Sequence, residues 1–425
     1  MLILTIALLF FISINIPLAI SIGLSSLIYI LLTQTIPLTL IAQRMVAGVD
    51  SFPLLAIPFF LFAGNLMAEA KITPRIMQLA NSFVGKIKGG LAMVMVSSCM
   101  LFGAISGSGV ADVVAIGSIL LPAMKKSGYE PEFSVSLLGC SGALATIIPP
   151  SVVMVILGVT TGISIGKLFL GGIIPGIITG VSLMILAYFF SVKREDEQGK
   201  SFSLRKILYA FKDAFLSLMM PIIIIGGILT GVFTPTEAAI AAVAYALFLG
   251  IFIYRTIKIK QLPGMILSTV ETSATILFII ASASIFGWVL AAEQIPQHFA
   301  NGLFSLTNNY YLIILIINIM LLILGMFMET IAIIIIVVPV LMPVVTSLGM
   351  DPVHFGVMLA VNLAIGANTP PIGVDLLAAC RIGGVNLEGT LKYVAYFVGV
   401  MVIALILIVL FPSLVLFVPN YFIPG

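Results

Sequence analysis

A glycine-rich stretch with hydroxyl side chains lies inside an otherwise apolar region of the sequence. It runs from Gly103 to Asp112 and reads GAISGSGVAD. Helix is disfavoured through so many glycines, and at membrane depth their backbone must be covered by protein or line a wet cavity. Ser106, Ser108 and Asp112 supply oxygen atoms, which suit a hard cation such as sodium. The alternative is that Asp112 only caps or pairs locally.

A second carboxylate interrupts an apolar run in the other half of the chain. Glu329 lies in the segment GMFMET, residues 325–330. A charged group deep in a bilayer is costly unless it is paired, so Glu329 is a functional candidate by default. We expect it to serve one cation site as Asp112 serves another. The alternative is a protonated glutamic acid that is hydrogen-bonded to a neighbouring helix.

Two pairs of adjacent prolines break further apolar segments. Residues 149–150 follow GALATII, and residues 370–371 follow NLAIGANT. Each proline lacks an amide donor, so carbonyl groups of the preceding turn lose their helical partners. The backbone oxygens near Ala145, Ile148 and Pro150 are therefore candidate cation ligands. Half-helix N-termini after these breaks and after Ser108 would attract a substrate carboxylate.

The composition excludes a water-soluble globular protein. Of 425 residues, 61% are hydrophobic and 8% charged, and the mean hydropathy is +1.29. Apolar runs approach or exceed the roughly 20 residues that span a bilayer as helix. We predict an all-α polytopic membrane protein with about ten transmembrane helices and two re-entrant helical hairpins. The predicted spans are 2–15, 17–34, 53–70, 131–160, 166–192, 216–231, 236–254, 265–291, 353–380 and 393–418, and the predicted hairpins are 89–124 and 312–344.

The basic residues predict the orientation. If the N-terminus is outside, all the Lys and Arg residues except Arg44 and Lys167 lie on the cytoplasmic side. This is the positive-inside pattern, and it predicts that both termini are periplasmic. The charged segment at 193–212 is predicted to be a cytoplasmic linker. Residues 35–50 are predicted to form an interfacial amphipathic helix, with a plain loop as the alternative.

The two halves of the chain repeat each other at an offset of 221 residues, as from Leu120 to Leu341. With five crossings in each half, the second copy would lie inverted, an arrangement typical of secondary transporters. We place the first repeat at 1–192, with its broken helix at 131–160, and the second at 213–425, with its broken helix at 353–380. The alternative is a duplicated structural protein without transport. The identical pairs are Leu120, Pro122, Gly128, Pro131, Leu138, Ala143, Pro149, Pro150, Val153 and Gly162 with Leu341, Pro343, Gly349, Pro352, Leu359, Ala364, Pro370, Pro371, Val374 and Gly383.

Four segments in order resemble the large membrane subunit of tripartite ATP-independent periplasmic (TRAP) transporters, over essentially the whole chain. They are AIPFFLFAGNLM, FGAISGSGVADVVAIGSILLPAM, GVFTPTEAAIAAVAYAL and NLAIGANTPPIGVDLL. The resemblance implies an elevator-type ion-transporter fold and at least two bound sodium ions. It implies sodium-coupled uptake of a small organic anion, of the C4-dicarboxylate or sialic acid class, with a lean to sialic acid.

The resemblance also implies the residues of two sodium sites. Family members often have Asp at the position of Glu329, and Ala145 replaces a glycine. Substrate contacts are expected at Ser106, Ser108, Asn368 and Thr369. The first sodium site comprises Ser106, Ser108, Asp112, Ala145, Ile148 and Pro150, and the second comprises Gly325, Glu329, Gly366, Thr369 and Ile372.

The partners implied by the resemblance are a small four-helix membrane subunit on a separate polypeptide and a periplasmic substrate-binding protein. Membrane lipid of the bacterial inner membrane surrounds the chain, and no nucleic acid is expected.

Three other function classes compete with this interpretation. A stand-alone sodium:dicarboxylate symporter would need no binding protein. An intramembrane enzyme is disfavoured because the sequence has two histidines and no HExxH or nucleophile-elbow motif. A channel is disfavoured because paired hairpins in inverted repeats fit alternating access better than a continuous pore. We therefore do not expect an enzyme.

Overall fold

The computed structural model describes residues 2–14, 16–33, 37–85, 87, 89–191 and 204–423. These residues form helices, turns and connecting segments, and none of them is in a strand. Eight helices within the described ranges are long and apolar enough to cross a membrane. The predicted all-α, multi-pass membrane fold is therefore confirmed, and many large apolar side chains face outward as they would in lipid.

The first half contains ten α-helices. Its hairpin and its broken helix are α6 with α7 and α8 with α9. The bounds are α1 Leu2–Ser13, α2 Leu18–Thr33, α3 Thr39–Val49, α4 Ala56–Glu69, α5 Ile72–Val84, α6 Gly90–Ser106, α7 Gly109–Lys126, α8 Pro131–Gly142, α9 Val152–Thr161 and α10 Ile165–Ser191.

The second half contains ten more. Its hairpin and its broken helix are α15 with α16 and α17 with α18. The bounds are α11 Leu204–Leu229, α12 Pro235–Phe248, α13 Leu262–Ala292, α14 Ile295–Leu306, α15 Tyr310–Phe327, α16 Thr330–Ser347, α17 Pro352–Gly366, α18 Val374–Gly383, α19 Leu387–Leu410 and α20 Ser413–Phe422.

Helix bounds repeat at the same offset as the sequence identities. A shift of 221 residues carries the first and last residues of α7 onto those of α16, the end of α6 onto the end of α15, and the start of α8 onto the start of α17. The contacts repeat too, because α7 packs against α18 while α16 packs against α9. Each hairpin therefore contacts the broken helix of the other half.

Both broken helices are interrupted at the pairs of adjacent prolines, as the sequence predicts. A short 3-10 turn, Ala143–Thr146, ends α8, and the chain is non-helical from 147 to 151. Residues 367–373 separate α17 from α18. The Pro149–Pro150 and Pro370–Pro371 peptide bonds are cis.

Several elements differ from the sequence prediction. Helices α5 and α14 were not predicted, and α11 begins at Leu204, so residues 204–212 of the predicted linker are helical. The rest of that segment, 193–203, lies outside the described residues. The last predicted span, 393–418, divides at Phe411–Pro412, since proline disfavours helix before it. Residues 39–49 do form a helix, α3, which packs against α13 and buries none of its side chains.

An ion pair holds the unpredicted α5 to α11. The Arg75 guanidinium pairs with the Asp213 carboxylate, and its Cζ lies 3.9 Å from the centre of the Tyr254 ring. Isoleucine and alanine side chains of α5, including Ile76 and Ala80, are buried on its inner face. The mixed surface of this helix explains why hydropathy alone did not identify it.

Candidate functional site

The first hairpin turns at Gly107 and Ser108. Gly107 has a φ of +63°, a left-handed conformation that glycine adopts without strain. The Ser106 hydroxyl donates a hydrogen bond to Asp112 Oδ1, and the Ser108 amide lies 3.3 Å from Ser106 Oγ. The tip therefore brings the Ser106 and Asp112 side chains together with the backbone of Ser108.

The second oxygen of Asp112 lacks a partner. Asp112 is fully buried, and among the described residues nothing hydrogen-bonds to Oδ2. A buried carboxylate oxygen of this kind requires a cation, a proton or water. A methyl group on Gly103 would lie 3.0 Å from this oxygen and 2.9 Å from Ala145 Cα, which shows how close the first broken helix comes. The donor set suits a hard monovalent cation.

The first proline break contacts the hairpin tip through backbone groups. The Val152 amide donates to the Gly107 carbonyl at 3.3 Å, and a methyl group on Gly107 would lie 2.8 Å from the Pro150 carbonyl oxygen. Ile148 instead packs its side chain against Gly176 on α10. The structure thus brings Ala145 and Pro150 to the cluster and turns the Ile148 side chain away from it.

The second hairpin turns at Met328 and Glu329. The Ile372 amide in the second proline break donates to the Met326 carbonyl at 3.2 Å, so hairpin and break are again joined by backbone. Thr369 Oγ1 donates to the Ile365 carbonyl at 2.8 Å. Glu329 is exposed at the tip, directly before α16. Among the described residues, no side-chain hydrogen bond or ion pair reaches its carboxylate.

Gly325 and Gly366 touch through their backbones. A methyl group on Gly325 would lie 2.9 Å from Gly366 Cα, and one on Gly366 would lie 2.7 Å from Gly325 Cα. Because the added methyl group would meet backbone atoms, no side-chain rotation could relieve the clash. The close approach of these two residues of the predicted second site therefore requires glycine at both positions.

We expect Gly325→Ala to destabilise the protein. Overpacking of this kind costs about 1–3 kcal/mol, so the thermal unfolding temperature in detergent should fall. Gly399→Ala is the matched control, because Gly399 lies in α19 with nothing within 4 Å of the added methyl group. That variant should be neutral or slightly more stable. Equal unfolding temperatures for the two variants would contradict the close contact.

The two carboxylates do not occupy equivalent positions. At the 221-residue offset, Glu329 corresponds to Ser108, whereas Asp112 corresponds to Ile333. Asp112 lies one turn inside α7 and is fully buried, while Glu329 precedes α16 and is exposed. The two tips have similar backbone arrangements, but the carboxylate is buried in the first and exposed in the second.

A cavity of about 1010 Å³ connects both tips. Its wall includes Ser106, Ser108 and Glu329 from the predicted sites. Helices α4 and α13 contribute the polar residues Asn65, Ser268 and Thr272 to the wall. Of the predicted substrate residues, Ser106 and Ser108 therefore face the cavity. Asn368 is fully buried. Neither Asn368 nor Thr369 is part of the cavity wall.

Most of the cavity wall was not predicted from the sequence, and Asp375 and Asn65 are two instructive cases. Asp375 lines it from α18 and is 4% exposed. An intramembrane carboxylate is a functional candidate by default, so the reasoning applied to Glu329 would have identified Asp375. Asn65 lines it from α4, where its Nδ2 donates to Thr269 Oγ1 at 3.0 Å. Nothing in the sequence distinguishes Asn65 from an ordinary polar residue.

Comparison with known proteins identifies the family. The model of the DctM component of the tripartite ATP-independent periplasmic transporters matches residues 5–414. The chain is 39% identical to the sialic acid TRAP transporter large permease protein SiaM of Vibrio cholerae, over 96% of this chain and 95% of that protein. It is 38% identical to the C4-dicarboxylate TRAP transporter large permease protein DctM of Pseudomonas aeruginosa, over 94% of each.

Two further matches extend the comparison. The isethionate TRAP transporter permease protein DctMQ of Oleidesulfovibrio alaskensis is 39% identical over 96% of this chain, which spans 64% of that longer protein. The crystal structure of the Alcanivorax borkumensis YdaH transporter matches 87% of each chain with a TM-score of 0.60 and 13% identity, which shows a shared fold. Since the family model and the relatives match over nearly its whole length, this chain belongs to the DctM family, as the large permease subunit of a TRAP transporter.

Proposed function

We propose that this permease takes up a small organic anion in symport with sodium ions, at least two per cycle. The observation that carries the proposal is the central cavity, which both hairpin tips line. Each tip carries a carboxylate oxygen that has no partner among the described residues: that of Glu329 on the cavity wall and that of Asp112 buried behind it. Sodium at Asp112 and at Glu329 would neutralise these charges and order the tips. The substrate anion would then bind beside them.

The charges of the cavity wall support this order of binding. Among the described residues that line it, Glu69, Glu329 and Asp375 are acidic and Lys71 is basic. An anion entering this empty cavity would meet net negative charge. Because like charges repel, cations bound before the anion would favour its binding. Coupling between cation and substrate then follows from electrostatics.

The repeat supports an inverted-repeat, elevator-type mechanism. Matching helix bounds and matching contacts relate the two hairpins and broken helices. We infer that these four elements move as one body past α4 and α13, which also line the cavity. The charge pattern supports an inner-membrane location with both termini periplasmic.

The partners proposed are those that the family resemblance implies. A small four-helix membrane subunit, on a separate polypeptide, would pack against an outward apolar face, and a periplasmic binding protein would deliver the substrate. The names of the relatives support a small organic acid, since they include sialic acid, C4-dicarboxylates and isethionate. We retain the lean to sialic acid.

The experiment is uptake of radiolabelled sialic acid, succinate and isethionate by proteoliposomes that contain this chain and its small subunit. We expect uptake of one of them only when the cognate binding protein is present. Uptake without the binding protein would favour a stand-alone symporter. Absence of uptake for all three, with folded protein in the vesicles, would contradict the proposed substrate class.

A further inference from the structure

Asp375 is a carboxylate on the wall of the central cavity that neither proposed sodium site uses. It lies in the first turn of α18, faces the cavity and is 4% exposed. Its amide donates to the Ala367 carbonyl at 3.0 Å, which fixes the backbone. Among the described residues, no hydrogen bond or ion pair reaches the carboxylate itself. A buried, unpaired carboxylate needs a cation, a proton or water.

The place of Asp375 differs from that of Asp112. A methyl group on Gly109 would lie 2.6 Å from Asp375 Oδ2 and 2.9 Å from Oδ1, so the carboxylate lies against the first turn of α7. Asp112 Oδ2 is instead close to Gly103 and Ala145. The two carboxylates therefore have different surroundings, since Asp375 lines the cavity whereas Asp112 is fully buried and is not part of the cavity wall.

A further unpartnered oxygen lies near Asp375. Asn368 is fully buried; its Nδ2 donates to the Ala364 carbonyl at 3.1 Å, and its Oδ1 has no partner among the described residues. A methyl group on Gly139 would lie 2.9 Å from this Oδ1 and 3.2 Å from Leu376 Cα. Leu376 follows Asp375 directly, so the unpartnered Asn368 oxygen lies beside the first turn of α18, where that helix packs against α8.

We propose that Asp375 binds a monovalent cationic group in the cavity, separate from the cations at Asp112 and Glu329. Two chemical sources fit it: a free sodium ion, or an ammonium group on the transported anion. The inference rests on the proposed function in that the first two carboxylates are taken to be neutralised by sodium. With those two neutralised, the charged residues left on the described wall are Glu69, Lys71 and Asp375, which together carry one net negative charge; a third ion or a zwitterionic substrate would balance it.

Binding of radioactive sodium to the purified full chain, without organic anion, tests the first source. In Asp375→Asn, saturating binding should fall by about one third if three carboxylates each hold an ion. Gly109→Ala should lower it similarly, because its methyl group would displace the Asp375 carboxylate. Asp50→Asn is the control, since Asp50 is exposed and lies outside the cavity wall. Sodium binding does not require transport, so this result is independent of the uptake experiment.

Matched anions test the second source. Taurine and isethionate differ by an ammonium in place of a hydroxyl group, and aspartate and malate differ in the same way. If the substrate supplies the cation, the ammonium member of a pair should raise the thermal unfolding temperature of the wild-type chain more, and Asp375→Asn should remove that difference. Unchanged sodium binding in both variants, together with no preference for the ammonium members, would overturn the proposal.

Discussion

Replacement of Asp112 by alanine should abolish uptake while leaving folded protein in the membrane. Asp112 is the only carboxylate of the first hairpin tip; it is fully buried, and its Oδ2 has no partner among the described residues. Removing one member of a buried charge pair costs about 3 kcal/mol or more, which is more than about a hundredfold in cation affinity. Sodium-dependent uptake into proteoliposomes measures the loss.

The control for this prediction is Asp50→Ala, which removes an exposed aspartate outside the cavity wall. It should leave uptake at the wild-type rate. Asp112→Asn removes the charge but keeps the shape of the side chain, since the amide oxygen can still accept the hydrogen bond from Ser106. Uptake by Asp112→Asn should also be lost. Wild-type-like uptake by either Asp112 variant would remove this residue from the cation site.

Replacement of Glu329 by alanine should strongly reduce uptake at ordinary sodium concentration, with a different dependence on sodium from that of Asp112→Ala. Glu329 is exposed to the cavity, so its charge is better solvated than that of Asp112 and contributes less to cation affinity. We expect a loss of about tenfold or more at ordinary sodium concentration, with partial recovery at high sodium. A sodium titration of initial uptake rates distinguishes the two variants.

A conservative substitution of Glu329 and a control at another glutamate complete this test. Glu329→Asp keeps the charge on a side chain shorter by one methylene group, and it should retain most of the uptake because the tip is open to the cavity. Glu271→Gln is the matched control, since Glu271 is exposed on α13 and lies outside the cavity wall. Full activity of Glu329→Ala at low sodium would show that the second site does not use this carboxylate.

Much of the site was predictable because helix breaks have strong sequence signals. The glycines before Asp112, the tandem prolines and the isolated Glu329 each conflict with a continuous transmembrane helix. In the structure, the helices end and restart within a few residues of the predicted hairpin turns and breaks. Because identical prolines recur at one offset, the sequence by itself also predicts the correspondence between the halves.

The cavity itself was not predictable, because its wall is assembled from distant segments. Asn65 faces it from α4 and Thr272 from α13, more than two hundred residues along the chain. Their orientation depends on how helices pack, which hydropathy does not encode. Amphipathic α5 was missed for a similar reason, since its polar face is satisfied by tertiary contacts such as that between Arg75 and Asp213.

The most direct test of sodium coupling is the driving force for uptake. Proteoliposomes that contain this chain and its small subunit, with binding protein and substrate outside, would be compared under an inward sodium gradient, an inward potassium gradient of equal size and no gradient. We predict concentrative uptake under the sodium gradient alone, lost when an ionophore dissipates it. Equal accumulation under the potassium gradient, or without any gradient, would contradict sodium symport.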